Sequence, residues 1–499
     1  MMIMKSFKIK NKLSGLLLFL TVALSSCSDF LEVTPTGKTV TPTAFSDIKG
    51  IRSAMAGSYY TMFKFYSGIY YAYPDLAANM VSLSTTASPA SLALYNYEID
   101  ELGAGYWGTL YEALVNINNI IEYQPALLSK YPDSKTELES IKAQALFLRA
   151  LSHFELCKIY GQPYNYTSDA SHLGVPIELI APNFDHKPAR SSVKDVYTQI
   201  IKDLKDAEVL FGSSSIGTGA NTKYTVTKEA VYGLLSRVYL YMEDWENTIK
   251  YAGYVIDKVP LAKGNDYVAM YRQLDNKETE IVFRFNGSKN QGVTLKTLFN
   301  LTYKTEKDGV VTPVVPSATV DNLLLSLFNP NTQSSDIRYN SIIEKVTSGS
   351  SVYYVTNKFN VPDNDPAYAH FNPIILRSSE MYLNRAEAYL NENDLTNAAT
   401  DVKAIIARAL NKNVADVTVT ETNKAELKRI IENERAKELC FEGHQLYDIT
   451  RRKQDMVRST TTSSLIQKIT YPNDLFLKPI PQRELDINPN MVGNPTVNR

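Results

Sequence analysis

Tryptophan, histidine and cysteine are all scarce: the 499 residues hold 2, 5 and 3 of them. The histidines, His153, His172, His186, His370 and His444, neither cluster nor show His-Glu-x-x-His spacing, which argues against a zinc site. No Gly-x-Ser-x-Gly elbow and no Gly-x-x-x-x-Gly-Lys phosphate loop is present. An excess of charge of either sign is missing too. Lysine plus arginine number 52 against 53 aspartate plus glutamate, a formal net charge of -1. Without a basic field nothing holds a phosphate backbone, so nucleic acid is not expected as the main partner. Hydrophobic residues at 44% and charged residues at 21% describe a globular, core-forming chain. Beyond the N-terminus no apolar run reaches the length that spans a bilayer.

What is there begins with the N-terminus. Lys5, Lys8, Lys10 and Lys12 precede a mostly apolar run, Leu13 to Leu24, which is too short for a membrane span and reads as a secretory signal. It ends in Leu24-Ser25-Ser26-Cys27, similar to a bacterial lipobox, with serine where glycine or alanine usually precedes the cysteine. That resemblance implies cleavage before Cys27 and a diacylglycerol, with further acyl chains such as palmitate, on the new terminus. Residues 1–26 are then a lipoprotein signal peptide and Cys27 the lipidation site. Each buried methylene adds about 0.8 kcal/mol to such an anchor. Ser28 is not the aspartate of familiar inner-membrane lipoproteins, so the outer membrane is expected by analogy. An ordinary signal peptide with a chance cysteine is the plainer alternative. Cys157 and Cys440 lie in helical patterns and read as buried small hydrophobes, with a disulfide between them still open in an exported chain.

Tyrosine is abundant, at 33 residues. A ring carrying a hydroxyl suits both helix packing and a polar ligand, and the helical spacing assigns most of these to packing. Residues 27–45, with Pro35, Gly37 and Pro42, read as a lipidated tether. Helix is expected from Ser46, with Ile48, Ile51 and Met55 following. Tyr66 to Ser91 reads as irregular, with Pro74 and Pro89 as breakers. Trp107 is expected to open a helix carrying Leu110, Leu114, Ile117 and Ile121. Another runs from Glu137 to Tyr160, with Gly161 as C-cap. Ser191 or Ser192 caps the next.

Two later stretches resemble each other and resemble tetratricopeptide units. In Ala230 to Ile256, Tyr239-Leu240 is followed after four residues by Trp245; in Met381 to Ile406, Tyr389-Leu390 is followed after four by Leu395. Ala252 and Ala398 then sit where small residues let two helices close up. Both tryptophans, Trp107 and Trp245, are expected in the core. Ile281 to Phe285 and Val352 to Phe359 read as strands in a loop-rich insert. The fold class expected is mainly α: a tetratricopeptide-like helix-pair scaffold, with an irregular insert containing a few short β-strands. Its boundaries are 46–499 for a single domain, with scaffold at about 46–256 and 375–450, insert at about 257–374 and a C-terminal tail at 451–499.

Five segments in order make the chain similar to the SusD/RagB family. They are Trp107-x-x-Leu110-Tyr111 leading to Asn116-Ile117-Asn118-Asn119-Ile120; Ala145 to Ala150 with Tyr160-Gly161 and Gly174-Val175-Pro176; and Leu376 to Ala388. The last two are Glu434-Arg435-Ala436-Lys437-Glu438-Leu439 with Phe441-Glu442-Gly443 and Tyr447-Asp448, and Leu477-Lys478-Pro479-Ile480-Pro481 with Glu484 and Asn488-Pro489. The resemblance implies four tetratricopeptide-like helix pairs plus a ligand-facing half. It also implies a place on the cell surface at the outer membrane and a SusC-like TonB-dependent transporter as partner, to which glycans or, in some members, peptides are handed. It places ligand aromatics in the loop before the first scaffold helix and in the mid-chain insert. Here those stretches carry Tyr66, Tyr70, Tyr71, Tyr73, Asp75, Asn79 and Tyr95, then Phe299 and Tyr303.

No cofactor and no enzymatic activity are expected. Glu432, Glu434, Glu438 and Glu442 invite a glycosidase reading, yet one-turn spacing beside Arg429 and Arg435 fits salt bridges better. Asp363-Asn364-Asp365 could ligate calcium but lacks the rest of an EF-hand loop, so a surface turn is expected. The leading expectation is capture of oligosaccharides for uptake. Oligopeptide uptake, a protein-assembly module and a surface hydrolase stay open beside it.

Overall fold

The apolar stripes at helical spacing fold as helices in the computed structural model, which describes residues 41–98, 102–183, 185–212, 222–272, 279–287, 304–307, 310–313, 315–358 and 372–495. The signal peptide, Cys27, Phe299, Tyr303, His370 and Asp363 to Asp365 lie outside them. The chain divides into two units, Met1–Ile51 and Arg52–Arg499. The described part of the first holds the short helix Thr41–Ala44 and a turn in which Asp47 Oδ1 accepts Gly50 N–H at 2.7 Å.

The longer helices in chain order are α1 (Ile48–Tyr66), α2 (Ile69–Ala77), α3 (Pro89–Tyr95), α4 (Leu102–Lys130), α5 (Lys135–Tyr160), α6 (Val193–Phe211), α7 (Lys228–Met242), α8 (Trp245–Ile256), α9 (Asn265–Arg272), α10 (Ser378–Asn391), α11 (Leu395–Ala409), α12 (Lys424–Leu439) and α13 (Gln445–Arg451). Each of α4 to α8 packs on its neighbour in sequence; α10 then packs on α7 and α8, and α11 and α12 on α10. The architecture is mainly helical and built from helix pairs, with few short strands. β2 (Ile281–Arg284) pairs antiparallel with β8 (Ile374–Arg377), which runs straight into α10. All four residues of each are buried.

The two look-alike stretches form the hairpins α7–α8 and α10–α11, and their turns are built alike. A left-handed residue follows the first helix, Glu243 (φ 61) or Asn393 (φ 65). Asp244 N–H then reaches back to Tyr239 O at 3.0 Å, and Asp394 N–H to Tyr389 O at 2.9 Å. The same aspartates cap the second helices, Oδ1 accepting from Asn247 N–H or Asn397 N–H at 3.1 Å. Ala252 and Ala398 are fully buried at the crossings. Asp394→Ala is therefore expected to cost about 1 kcal/mol, read as a lower urea midpoint at unchanged slope. An unmoved midpoint would mean that packing alone sets the turn.

Several boundaries differ from expectation. The stretch read as irregular holds α2, with Pro74 inside it. Tyr70, Tyr71, Tyr73 and Leu76 are all buried, and that burial outweighs the amide hydrogen proline lacks. Pro89, also read as a breaker, instead opens α3 at its first turn behind the Ser88 cap, where the missing amide hydrogen costs nothing. α4 starts at Leu102, five residues before Trp107, despite Gly103, Gly105 and Gly108. Gly161 ends α5 in extended backbone (φ -115). Glycine is needed there for space, since a Cβ would sit 2.9 Å from Cys157 O. Trp107 is core, but Trp245 is only half-buried. Cys157 and Cys440 are buried free thiols, and burial pushes both up to about 12.

Candidate functional site

The insert and the loop before α4 meet in a two-stranded sheet. β1 (Val81–Leu83) pairs antiparallel with β5 (Ala318–Val320), with Ser82 opposite Thr319. Ser82 Oγ donates to Asp321 Oδ2 at 2.8 Å, and Asp321 Oδ1 caps the next short helix through Leu323 N–H. The tail closes over this sheet. Ser463 Oγ donates to Leu83 O at 2.5 Å, Ser464 Oγ to Asn96 Oδ1 at 2.9 Å, and Asn322 Nδ2 to Thr461 Oγ1 at 2.9 Å. Thr85, Thr86, Ser88, Thr460, Thr461 and Ser463 remain exposed along the resulting edge.

The residues that the sequence singled out around α2 lie beneath this edge. Tyr66, Tyr70, Tyr71, Tyr73 and Tyr95 are each no more than 5% exposed, and Asp75 is fully buried. Tyr66 stacks on Phe285 with centroids 5.4 Å apart. Tyr70 Oη hydrogen-bonds Glu155, and Tyr71 Oη donates to Ile374 O at 3.2 Å. Tyr73 faces the Lys478 ammonium and Tyr95 the Arg458 guanidinium, at 4.6 and 4.1 Å. Asn79, half-buried, donates to Val457 O at 2.9 Å and accepts from Gln445 Nε2 at 3.0 Å. Arg458 donates to the carbonyls of Leu76, Ala77 and Ala78, the free end of α2, at 3.1, 3.2 and 2.8 Å. These side chains tie α2 to the tail and leave no ring facing outward.

Three tyrosines of the insert that are partly open to solvent were read only as strand, or not at all. β6 (Ile343–Ser348) and β7 (Ser351–Thr356) form a hairpin that packs on β5. Tyr353 and Tyr354 on β7, and Tyr339 just before β6, are half-buried. Burial and the neighbouring Tyr354 hydroxyl push the Tyr339 hydroxyl up. Tyr339 also meets Phe328 edge-on, centroids 5.3 Å apart. Two adjacent tyrosines on a strand point to opposite faces, so the pair spans the hairpin. That alternation was the available signal.

Both ends of this hairpin are anchored in buried charge. Before it, Arg338 donates to Asp336 Oδ2 and Glu434 Oε2, each at 2.8 Å. After it, the Lys358 ammonium donates to Glu442 Oε1 at 2.6 Å and Cys440 O at 2.8 Å. Between them, Arg377 binds Glu280 and Glu438 at 2.7 Å and Glu442 at 2.8 Å, while Arg408 also meets Glu280 and Glu438. Glu434, Glu438 and Glu442 are thus salt-bridged, as the one-turn spacing implied. Apart from Lys437, one turn from Glu434, their partners come from distant segments, however. Arg429 pairs with Glu426 and Arg435 with Asp448. Among the described residues no group of three or more His, Cys, Asp or Glu could hold a metal ion, and no helix is long and apolar enough to cross a membrane.

Comparison with known proteins bears on this arrangement directly. A family model described as starch-binding associating with outer membrane matches residues 29–240, and the SusD family model matches residues 239–496. A SusD superfamily protein from Bacteroides thetaiotaomicron is 25% identical, with a TM-score of 0.76 over 90% of this chain and 100% of that one. A SusD-like carbohydrate binding protein from Bacteroides vulgatus is 22% identical, with a TM-score of 0.73 over 89% and 97%. A laminarin binding SusD-like protein is 18% identical, with a TM-score of 0.69 over 90% and 100%. No curated protein matches. The helix pairs, the sheet that joins loop to insert and a family match over half the chain agree, and this chain belongs to the SusD family.

Proposed function

We propose that this protein is a cell-surface lipoprotein of the outer membrane, anchored through Cys27. It captures oligosaccharides and passes them uncleaved to a SusC-like TonB-dependent transporter. The observation that carries this reading is the half-buried pair Tyr339 and Tyr354, whose hydroxyls meet, on a hairpin clamped at both ends by ion pairs and joined through β5 to a hydroxyl-rich edge. A sugar ring offers an apolar face and a rim of hydroxyls. Tyrosine rings cover the first, and serine, threonine and tyrosine hydroxyls meet the second. The carbohydrate-binding and laminarin-binding relatives support the ligand class. Phe299, Tyr303 and Asn79 are further proposed contacts. Tyr66, Tyr70, Tyr71, Tyr73, Asp75 and Tyr95, all buried, hold α2 in place and are not proposed as contacts.

Calorimetric titration with laminarihexaose, maltohexaose and cellohexaose tests the reading. At least one is expected to bind, and Tyr354→Ala to weaken it about tenfold, near 1.4 kcal/mol. Binding to a hexapeptide panel alone would move the scaffold to oligopeptide uptake. Native pull-downs without a TonB-dependent barrel would favour a protein-assembly module, and released sugar products would favour a hydrolase.

A further inference from the structure

A cleft of about 120 Å³ opens on the helical scaffold, where the turn of the α7–α8 hairpin meets the end of α10 and the flanks of α12 and α13. Its floor is apolar, with Leu390 and Ile431 both buried. Trp245 walls one side and is half-buried. The sister turn has Leu395 in the equivalent place, with the same aspartate cap and nearly the same left-handed φ. An indole is therefore not required by the turn.

The rim is polar and charge-balanced. Three carboxylates, Glu243, Glu387 and Glu432, face three cations, Lys428, Arg451 and Arg452. Glu387 is spent on Arg451 and Arg452, and Glu243 accepts from Asn165 Nδ2 at 2.7 Å. Groups that could serve a ligand remain. Among the described residues, exposed Lys428 makes no ion pair, Asn391 uses only its Nδ2, on Glu387 O, Glu432 uses only Oε1, which accepts from Gln454 Nε2 at 3.2 Å and meets Arg452 at 3.7 Å, and the Trp245 indole N–H has no partner. A free cation beside carboxylates suits neither an anion nor a cation as ligand. An apolar wall with donors and acceptors around it suits a neutral ring that has one apolar face and many hydroxyls. At about 10–15 Å³ of such space for each water it could hold, the cleft has room for roughly ten waters, enough for one sugar ring and not for a buried chain.

We infer that the Trp245 cleft is a second saccharide-binding site, taking one sugar ring stacked on the indole with its hydroxyls on Asn391, Lys428 and Glu432. The ligand class rests on the glycan reading above. The position does not, because the cleft lies on the helix pairs and shares no residue with the tyrosine hairpin.

The chain has only two tryptophans, so Trp107→Phe leaves Trp245 as the sole indole. In that background the three hexaoses are titrated by tryptophan emission and by calorimetry. The expected result is a saturable change in emission with a Kd in about the 0.1–10 mM range. Two sugars bound per chain should fall to one in Trp245→Ala, and Lys428→Leu, on the exposed rim, should weaken the Trp245 event about threefold to tenfold. One sugar per chain with and without Trp245, and unmoved emission, overturns this inference and leaves the glycan reading standing. No sugar bound by either protein overturns both. One sugar lost with Trp245 upholds the cleft and overturns the tyrosine face. Emission that responds to a hexapeptide and to no sugar overturns the inference in favour of a protein partner.

Discussion

Arg377→Met is expected to lower the unfolding free energy by about 3–5 kcal/mol. The Arg377 guanidinium is about 1% exposed and meets three carboxylates: Glu280, Glu438 and Glu442. Burial alone would lower it, but Glu442, Glu438 and Glu280 outweigh burial and hold it well above the usual arginine range. The reverse holds at Glu438. Burial would raise that carboxyl, yet Arg408, Arg377 and Arg338 hold it far below the ordinary carboxylate range. Five carboxylates, Glu280, Asp336, Glu434, Glu438 and Glu442, are balanced here by Arg338, Lys358, Arg377, Arg408 and Lys437. Methionine fills much of the space but leaves one buried negative charge uncompensated. Urea denaturation at unchanged slope measures the loss, with Arg429→Met as the control. Arg429 pairs with Glu426 at the surface and is expected to cost under about 0.5 kcal/mol. Similar small losses for both variants would mean that water reaches the cluster. The cluster also anchors both ends of the β6–β7 hairpin, so Arg377→Met should weaken sugar binding without touching the tyrosines.

Asp75→Asn is expected to do the opposite, and only at higher pH. Burial pushes the Asp75 carboxyl up to about 7, against the pull of the Gly443 N–H at 2.8 Å and the Lys358 ammonium. A carboxyl whose folded pKa is raised contributes stability that is fully present below its unfolded pKa, near 4, and is lost as pH rises through 7. Asparagine cannot ionise and so escapes that loss. From pH 5 to pH 8 the stability of Asp75→Asn relative to the parent should rise by about 2–3 kcal/mol. Any fixed cost of placing an amide beside Gly443 is the same at both pH values and cancels. Denaturation midpoints of both proteins at pH 5 and pH 8 decide this; an offset that does not change with pH would refute the raised pKa.

Helices were legible in the sequence because their signals are local. Apolar residues three and four apart, the Ser192 cap and the Tyr-Leu, four residues, large-residue pattern all act within a turn or two of chain. The tyrosines were harder. Tyr70 and Tyr73 on α2 are spaced three apart, the interval of a helix face, and that interval better indicated packing than ligand contact. The resemblance directed attention to the loop before α4, but which of its rings are buried depends on where β5 and the tail lie. The ionic cluster was half visible. The one-turn series Glu434, Glu438, Glu442 implied salt bridges, whereas Arg338, Lys358 and Arg377 reach it from up to 100 residues away. No spacing rule extends so far.

A thiol with a pKa of about 12 is ionised in about one molecule in 100,000 at neutral pH. Cys157 and Cys440 both meet that description. Alkylating reagents attack the thiolate, so they should leave the native chain alone and mark it only when it opens. The pair therefore works as a built-in gauge: the rate at which label accumulates reports how often the folded molecule comes apart.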